Sequence, residues 1–487
     1  MTATLRVTWL VARRQLMTLL RERRLRLLGL LVLLLSLLAL LDGALAARRL
    51  DAARAHDTRA EAEVWQAQGE ANPHGAAHFG RYVYRPAPPL AVLDRGLLDH
   101  LGSTVKLEGH VQNTGRFKPA DGGAALNSLG RFKGAGAAFA LQVLAPLLIV
   151  FAAFDAFAGE RARQLALQEI GAGATPWQLM LGRAAAHGAA LLALLAAVGL
   201  AAALATVPAW SAGHLGALAL MLAGHGLAWL AFLGVTLAIS ARSASGRGAL
   251  FGALAFWIVA AVLAPMLAPA LAEARHPTPT GTAFHARVVD EIMKGPDGHD
   301  PRDARFAAFE KATLAQYGVK HVDELPFNYS GLLFEHGERT SAAIYDRHFA
   351  RLYADYARQA RLALAGSVVS PLLALRPLSA ALAQTDLPAQ RRFLAQAEHY
   401  RYAMVQALNR DIKLNRKAGV RDYASDVAAI TAGIRFAPRP YALAEVLPRV
   451  AAPFALLLAW VLVALVLMRV AARSLGTFPA SAPGGQA

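Results

Sequence analysis

The chain of 487 residues is 56% hydrophobic, with a mean hydropathy of +0.36, more apolar than a soluble protein of this length carries. A net charge of +17 would suggest nucleic acid, but the charge sits in short stretches between apolar blocks and forms no basic face interleaved with stacking aromatics, so no nucleic acid is expected as a partner. Cysteine is absent, which excludes a disulfide framework and thiolate metal sites.

Residues 1–26 hold seven Arg (Arg6, Arg13, Arg14, Arg21, Arg23, Arg24 and Arg26) against Glu22 alone. Leu5, Trp9, Leu10, Leu16, Leu19 and Leu20 lie between them, a pattern that predicts an amphipathic helix lying in the membrane interface. Six apolar blocks follow, at roughly 27–46, 138–158, 184–208, 214–240, 249–272 and 450–470. Each approaches the about 20 residues that cross hydrocarbon as a helix. The first ends in Ala44-Leu45-Ala46, which resembles a signal-peptidase site, yet the stretch before it is long for a leader's basic region, and an uncleaved span is expected. Arg161, Arg163, Arg183, Arg242, Arg247, Arg469 and Arg473 fall in connections on one side, while the turn 209–213 is uncharged. The positive-inside rule therefore places both termini in the cytoplasm.

Residues 47–137 form the first outer region. A helical continuation of span one is predicted to about Gln68, then a Pro cluster and the alternation of Val105, Leu107 and Val111 suggest a small mixed α/β element. His74 and His78 are spaced as one edge of a metal site, but Pro73 and Gly75 argue against a helix there and no third ligand is near in sequence, so no metal is assigned.

Residues 138–272 carry spans two to five, with a charged segment at 159–175 between spans two and three. Glu160, Arg161 and Arg163 share a helical run with Leu165, Leu167 and Ile170, which breaks at Gly171 and Gly173. Thr175-Pro176-Trp177-Gln178 then supplies a capping box with Pro at the first helical position. A short helix between two spans presents a surface that a soluble partner can push. His225 and His187 lie within spans and Asp155 near the inner end of one. Polar groups there are costly, so they either bond across packed helices or line a transport path.

The second outer region, 273–448, reads as helical. Tyr345, Phe349, Leu352, Tyr356, Ala360 and Ala363 form one stripe, and Phe393, Ala397, Tyr400, Met404, Leu408 and Ile412 another, predicting two long helices packed antiparallel. Between them, residues 362–384 are nearly long enough to span, but Pro371, Pro377 and Arg376 predict a bent segment on or dipping into the outer leaflet. The last span occupies 449–473, and 474–487 form a cytoplasmic tail whose last dozen residues are expected to lack order. There is no G-x-x-x-x-G-K-[ST] loop, G-x-S-x-G or H-E-x-x-H. The chain is therefore expected not to hydrolyse ATP through a P-loop of its own; any nucleotide energy must come from a partner, and with no nucleophile–base cluster apparent no enzyme is expected. The fold expected is an all-α polytopic membrane protein with six transmembrane helices and two insertions, one small and mixed α/β, the other larger and helical.

Glu160-Arg161 after span two, the short helix to Ile170, and Leu181-Gly182-Arg183 at the start of span three are similar to the type 2 ABC transporter permeases. Where that family carries Gly-Thr-Leu, this chain has Gln164-Leu165-Ala166. Residues 1–26 correspond to the family's elbow helix. A subfamily with large periplasmic insertions is closer still, through Pro326-Phe327-Asn328, Gly331, Glu338, the run 370–387, Phe393, Ala397-Glu398, Tyr400-Arg401 and Asn409. The resemblance implies a bacterial inner-membrane exporter subunit in which Glu160, Arg161, Arg163, Leu165, Leu167 and Ile170 contact a cytoplasmic ABC ATPase dimer. It implies a second permease copy or paralogue across the transport path and surrounding lipid. No cofactor is bound directly; ATP and Mg act through the ATPase. A periplasmic partner is also compatible with the insertions. The alternative is a membrane-anchored periplasmic binding or assembly module without transport.

Overall fold

A computed structural model describes residues 3–98, 100–112, 136–295, 302–420 and 422–475. The last dozen residues of the expected tail lie outside the described residues. The chain is 79% helical. Helix α1 (Ala3–Arg21) breaks at Glu22 and leads into α2 (Arg23–Gln66). Strand β1 (Glu70–Ala71), helix α3 (Pro73–Phe79), and strands β2 (Arg81–Tyr84) and β3 (Thr104–Leu107) complete the first insertion. Then come α4 (Ala137–Ala153), α5 (Glu160–Gly171), α6 (Pro176–Ala205), α7 (Ala212–Arg242) and α8 (Gly246–Arg275). The second insertion holds α9 (Gly281–Lys294), α10 (Arg302–Tyr317), α11 (Tyr329–Ala365), α12 (Leu372–Ala383), α13 (Leu387–Asn415), strand β4 (Ser425–Asp426) and α14 (Val427–Thr431). Helix α15 (Leu443–Ser474) closes the described chain.

Five helices, α2, α6, α7, α8 and α15, are long and apolar enough to cross a membrane; α4 is apolar but shorter. They pack as a bundle around buried side chains that include Ile149, Leu179, Trp229, Phe232 and Leu237. The outward surface is apolar too: Leu30, Leu38, Phe251, Met266, Leu462 and Val466 are exposed. An apolar core inside an apolar surface is what a lipid solvent selects.

Two of these helices contain a π-turn, at 140–144 in α4 and 259–263 in α8. Such a turn disturbs the regular ladder and leaves carbonyls to be satisfied elsewhere. The Trp229 and Trp257 indoles donate to the carbonyls of Leu141 and Val143, at 2.9 and 3.1 Å. The Ser370 hydroxyl donates to the Ala260 carbonyl at 2.6 Å. These three donors thus find backbone acceptors in hydrocarbon-like surroundings.

The two insertions form one head at the other end. Helix α2 runs on past the bundle, and its Trp65 is buried in the head against Met404, Leu408 and Val427. Strands β2 and β3 pair antiparallel, with Val83 opposite Val105, as the alternation of Val105 and Leu107 predicts. Helices α11 and α13 pack antiparallel: Lys413 meets Glu335 near one end, and the Arg391 guanidinium lies 4.6 Å from the Tyr353 ring near the other. All six stripe residues of α13 are buried. On α11 only Tyr345 is, and Ala360 is exposed.

Residues 362–384 differ from expectation. The segment bends at Pro371, but α12 is sealed by protein rather than facing the outer leaflet. Leu372, Ala374, Leu375, Leu378 and Ser379 are fully buried, and Gly224 of α7 lets the Leu378 side chain approach where a Cβ would sit 2.8 Å from it. Burial in protein is what makes a broken, Pro-containing segment tolerable beside a membrane span.

Candidate functional site

At the Arg-rich end of the bundle, α1, α5, the start of α6 and the ends of α7 and α15 meet. The chain leaves α4, turns at Gly159 and starts α5. Gly159 has φ 92°, a left-handed conformation that glycine adopts without steric cost. Phe157 N donates to Ser240 Oγ at 2.9 Å, holding the turn against α7. Helix α5 ends at Gly171, and Gly173 has φ 97°. The predicted capping box forms: Gln178 N donates to Thr175 Oγ1 at 3.2 Å, and Thr175 N to Gln178 Oε1 at 2.8 Å.

One face of α5 is held by the bundle. Ala166 is buried and Ile170 packs on the main core; Arg163 donates to the Ser243 carbonyl at 2.9 Å. Glu169 is the centre of the junction. It accepts from Arg183 of α6 at 2.9 Å and from Arg14 of α1 at 3.1 Å. Arg183 is 3% exposed; its guanidinium lies 4.3 Å from the Phe157 ring centre and also donates to the Ala156 carbonyl. One carboxylate thereby ties three helices. Gly182 lets α1 lie directly on α6, because a Cβ there would sit 2.6 Å from Val11 Cγ1 and 3.0 Å from the Thr8 carbonyl oxygen.

The opposite face of α5 is open. Glu160, Arg161, Gln164, Leu167 and Gln168 are exposed, at spacings that fall on one helical stripe. Glu160 stands in the first turn, where a negative charge suits the helix dipole. Of the six residues proposed from sequence for partner contact, Glu160, Arg161 and Leu167 face outward. Arg163 and Ile170 are half-buried and face the bundle, and Leu165 is half-buried. The anchoring residues, Glu169, Arg14 and Arg183, lie outside that set; the only sequence signal for them is Arg183 directly after Gly182.

His187, His225 and Asp155 are not joined to one another by a hydrogen bond or ion pair among the described residues. His187 is buried between the carbonyls of Arg183 (2.7 Å) and Ala152 (2.9 Å), pinning α6 to α4. His225 is buried in α7 with Nδ1 on the Met221 carbonyl at 2.9 Å and no partner at Nε2. Asp155 is half-exposed, 3.7 Å from Arg24.

His74 and His78, which the sequence leaves without a helix or a third ligand, gain both in the head. Pro73 takes the first position of α3, where its missing N–H costs nothing, and Asn72 Oδ1 accepts from His74 N and Gly75 N at 3.0 and 3.1 Å. His110, from the turn after β3, completes a cluster whose candidate ligand atoms lie within 4.8 Å of one another.

A family model described as "Domain of unknown function (DUF3526)" matches residues 281–427, from α9 to the start of α14 in the head. No curated protein matches the chain, and no solved structure does.

Proposed function

We propose that this chain is the six-span permease subunit of an ABC exporter in a bacterial inner membrane, with both termini cytoplasmic and α4 as the sixth span. Helix α1 serves as the elbow helix, and α5 docks a cytoplasmic ATPase dimer that brings ATP and Mg. A second permease copy or paralogue completes the path. The observation that carries this reading is the two-sided character of α5. Its inner face is fastened to α1 and α6 through Glu169, while the stripe from Glu160 to Gln168 is left open. A push on that stripe would move two bundle helices rather than bend a loop.

One observation favours transmission of force to the head. Helices α2 and α15 both run from bundle to head, and head and bundle are bonded where Arg449 of α15 meets Asp386 and where Gln384 Nε2 donates to the Tyr441 carbonyl at 2.9 Å. Movement of the bundle would thereby reach the second insertion, as conformational work on a partner or substrate requires.

The test is affinity purification of tagged chain from its native membrane, with mass spectrometry and an ATPase assay. Wild type should bring down a Walker-type ATPase. Glu160→Arg with Arg161→Glu should insert normally yet lose the ATPase and at least about 90% of stimulated hydrolysis, a loss of over about 1.4 kcal/mol in coupling. Retention of the ATPase by that variant, or its absence from wild type with only head partners recovered, would leave the anchored-module reading.

A further inference from the structure

We propose that His74, His78 and His110 form a binding site in the head for a borderline divalent transition ion, Zn2+ or Cu2+. The site is independent of any transport role for the bundle.

The geometry is that of three imidazoles already turned inward. His74 and His78 stand one turn apart on α3 with their Nε2 atoms 3.2 Å apart. Two nitrogens on a tetrahedral Zn2+ with bonds of about 2.0–2.1 Å are separated by roughly 3.3–3.4 Å, so this edge needs almost no rearrangement. His110 arrives from a turn fastened to the same helix: Gly109 N donates to the Ala77 carbonyl at 2.8 Å. Its backbone has φ 65°, an uncommon conformation for a non-glycine residue that often marks a constrained site.

The outer nitrogens are engaged in the manner expected of metal ligands, whose second ring nitrogen is usually held by a carboxylate or carbonyl. His110 Nδ1 faces Glu338 Oε2 at 3.2 Å, and the same oxygen accepts from His110 N at 2.8 Å. His74 Nδ1 faces Asn409 Oδ1 at 3.5 Å, while its ring stacks on Phe334 at 3.8 Å. These partners direct the Nε2 lone pairs of His74 and His110 toward the cluster. Glu338 is fully buried and fixed in turn by Arg401 at 2.6 Å, and Arg401 is gripped by Glu398 through two bonds of 2.6 and 2.7 Å. His78 is exposed and leaves an approach and an open fourth position for water.

Three imidazoles without thiolates suit Zn2+ or Cu2+, whereas Mg2+ and Ca2+ require oxygen ligands. The ligands come from the first insertion and their supports from α11 and α13 of the second, so a bound ion would tie the two insertions together.

The full chain, purified in detergent through a tag without histidine and stripped with chelator, is loaded with Zn2+, Cu2+ or Mg2+ and passed through gel filtration before elemental analysis. Wild type should retain about one Zn2+ or Cu2+ and no Mg2+, and its thermal midpoint should rise with metal. His78→Ala, at an exposed position, should match wild type in chelator but lose retention and the midpoint rise; His78→Ala/His110→Ala should also lose both, from a lower starting midpoint because Glu338 loses its imidazole partner. Glu338→Gln should lower affinity about 10–100-fold. Equal retention by the double variant, retention of Mg2+, or no retained Zn2+ or Cu2+ by wild type would overturn the site.

Discussion

The Arg-rich end of the bundle and the core of the head use the same device with opposite charge. At the bundle, one acid, Glu169, holds two arginines, Arg14 and Arg183, leaving a formal +1 from two cations and one anion. In the head, one arginine, Arg401, is held by two acids, Glu338 and Glu398, leaving a formal −1. The first excess sits where short basic segments gather, the end that the proposed orientation puts in the cytoplasm. The second sits under three imidazoles, where it would help neutralise a divalent ion. An ion network between helices can thus fix packing and at the same time set the charge that the neighbouring surface offers. The two junctions also differ in depth. Arg401 and Glu338 are 1% and 0% exposed, whereas Arg14 is 59% exposed.

That difference in depth ranks what breaking each junction should do. The largest effect is expected from Arg401→Leu, which strands the fully buried Glu338 carboxylate and the half-buried Glu398 beside it and should cost about 3–5 kcal/mol of head stability, read as a fall in thermal midpoint and new proteolysis within α11 and α13. Adding Glu338→Gln and Glu398→Gln should recover part of the loss, because the penalty lies in the uncompensated charge. A smaller effect is expected at the bundle. Arg183→Ala should cost about 2–3 kcal/mol, below the fully buried case because Glu169 stays 14% exposed and Arg14 remains as a partner. Arg14→Ala should cost under about 1 kcal/mol, as half-exposed pairs do. If the two substitutions prove equal, Glu169 does not discriminate between buried and exposed partners, and the comparison with the head fails.

Much of this was legible in the sequence wherever the signal is local. Apolar length marked the long helices, and the Thr175–Gln178 spacing marked the start of α6. The α13 stripe from Phe393 to Ile412 marked its buried face. Each is a pattern within one element, set by helical period or by a cap. What escaped depends on chain-distant neighbours. Glu169 meets Arg14 across 155 residues, and His74 meets Asn409 across 335. His110 joins His74 and His78 only because β3 returns beside α3. The burial of α12 escaped for a related reason: Pro377 and Arg376 look hostile to lipid, and nothing in their own stretch shows that α7 and α15 pack on the Leu372–Leu375 and Leu378 side of the helix. Glu338, Glu398, Arg401 and Asn409 were visible as a motif, but their shared task beneath the histidines needed the fold.

A further effect concerns pH and separates the head's two kinds of titrating group. For His74 the unfolded chain takes up its proton near 6.5, the folded chain only near 4, because burial and then its neighbouring histidines oppose the charge. Between those values protonation favours the unfolded state, so this contribution is complete above about 6.5 and is lost as pH falls toward 4. Glu338 acts in the next window. Burial alone would raise its carboxyl, but the hydrogen bond from His110 and the charge of Arg401 outweigh it and hold the group down to about 2 from 4.5. Its contribution is complete above about 4.5 and is lost as pH falls toward 2. In chelator, thermal midpoints should therefore drop in two stages on acidification. His74→Phe keeps a ring to stack on Phe334 but cannot titrate, and should shrink the first stage, to which His78 also contributes, while leaving the second. The His74 share amounts to about 1 kcal/mol after discounting for solvent around a partly exposed ring. A first stage of unchanged size in His74→Phe would assign it to other groups. A flattened first stage with the lower one intact would show that the histidine cluster and the carboxylate beneath it respond to acid separately.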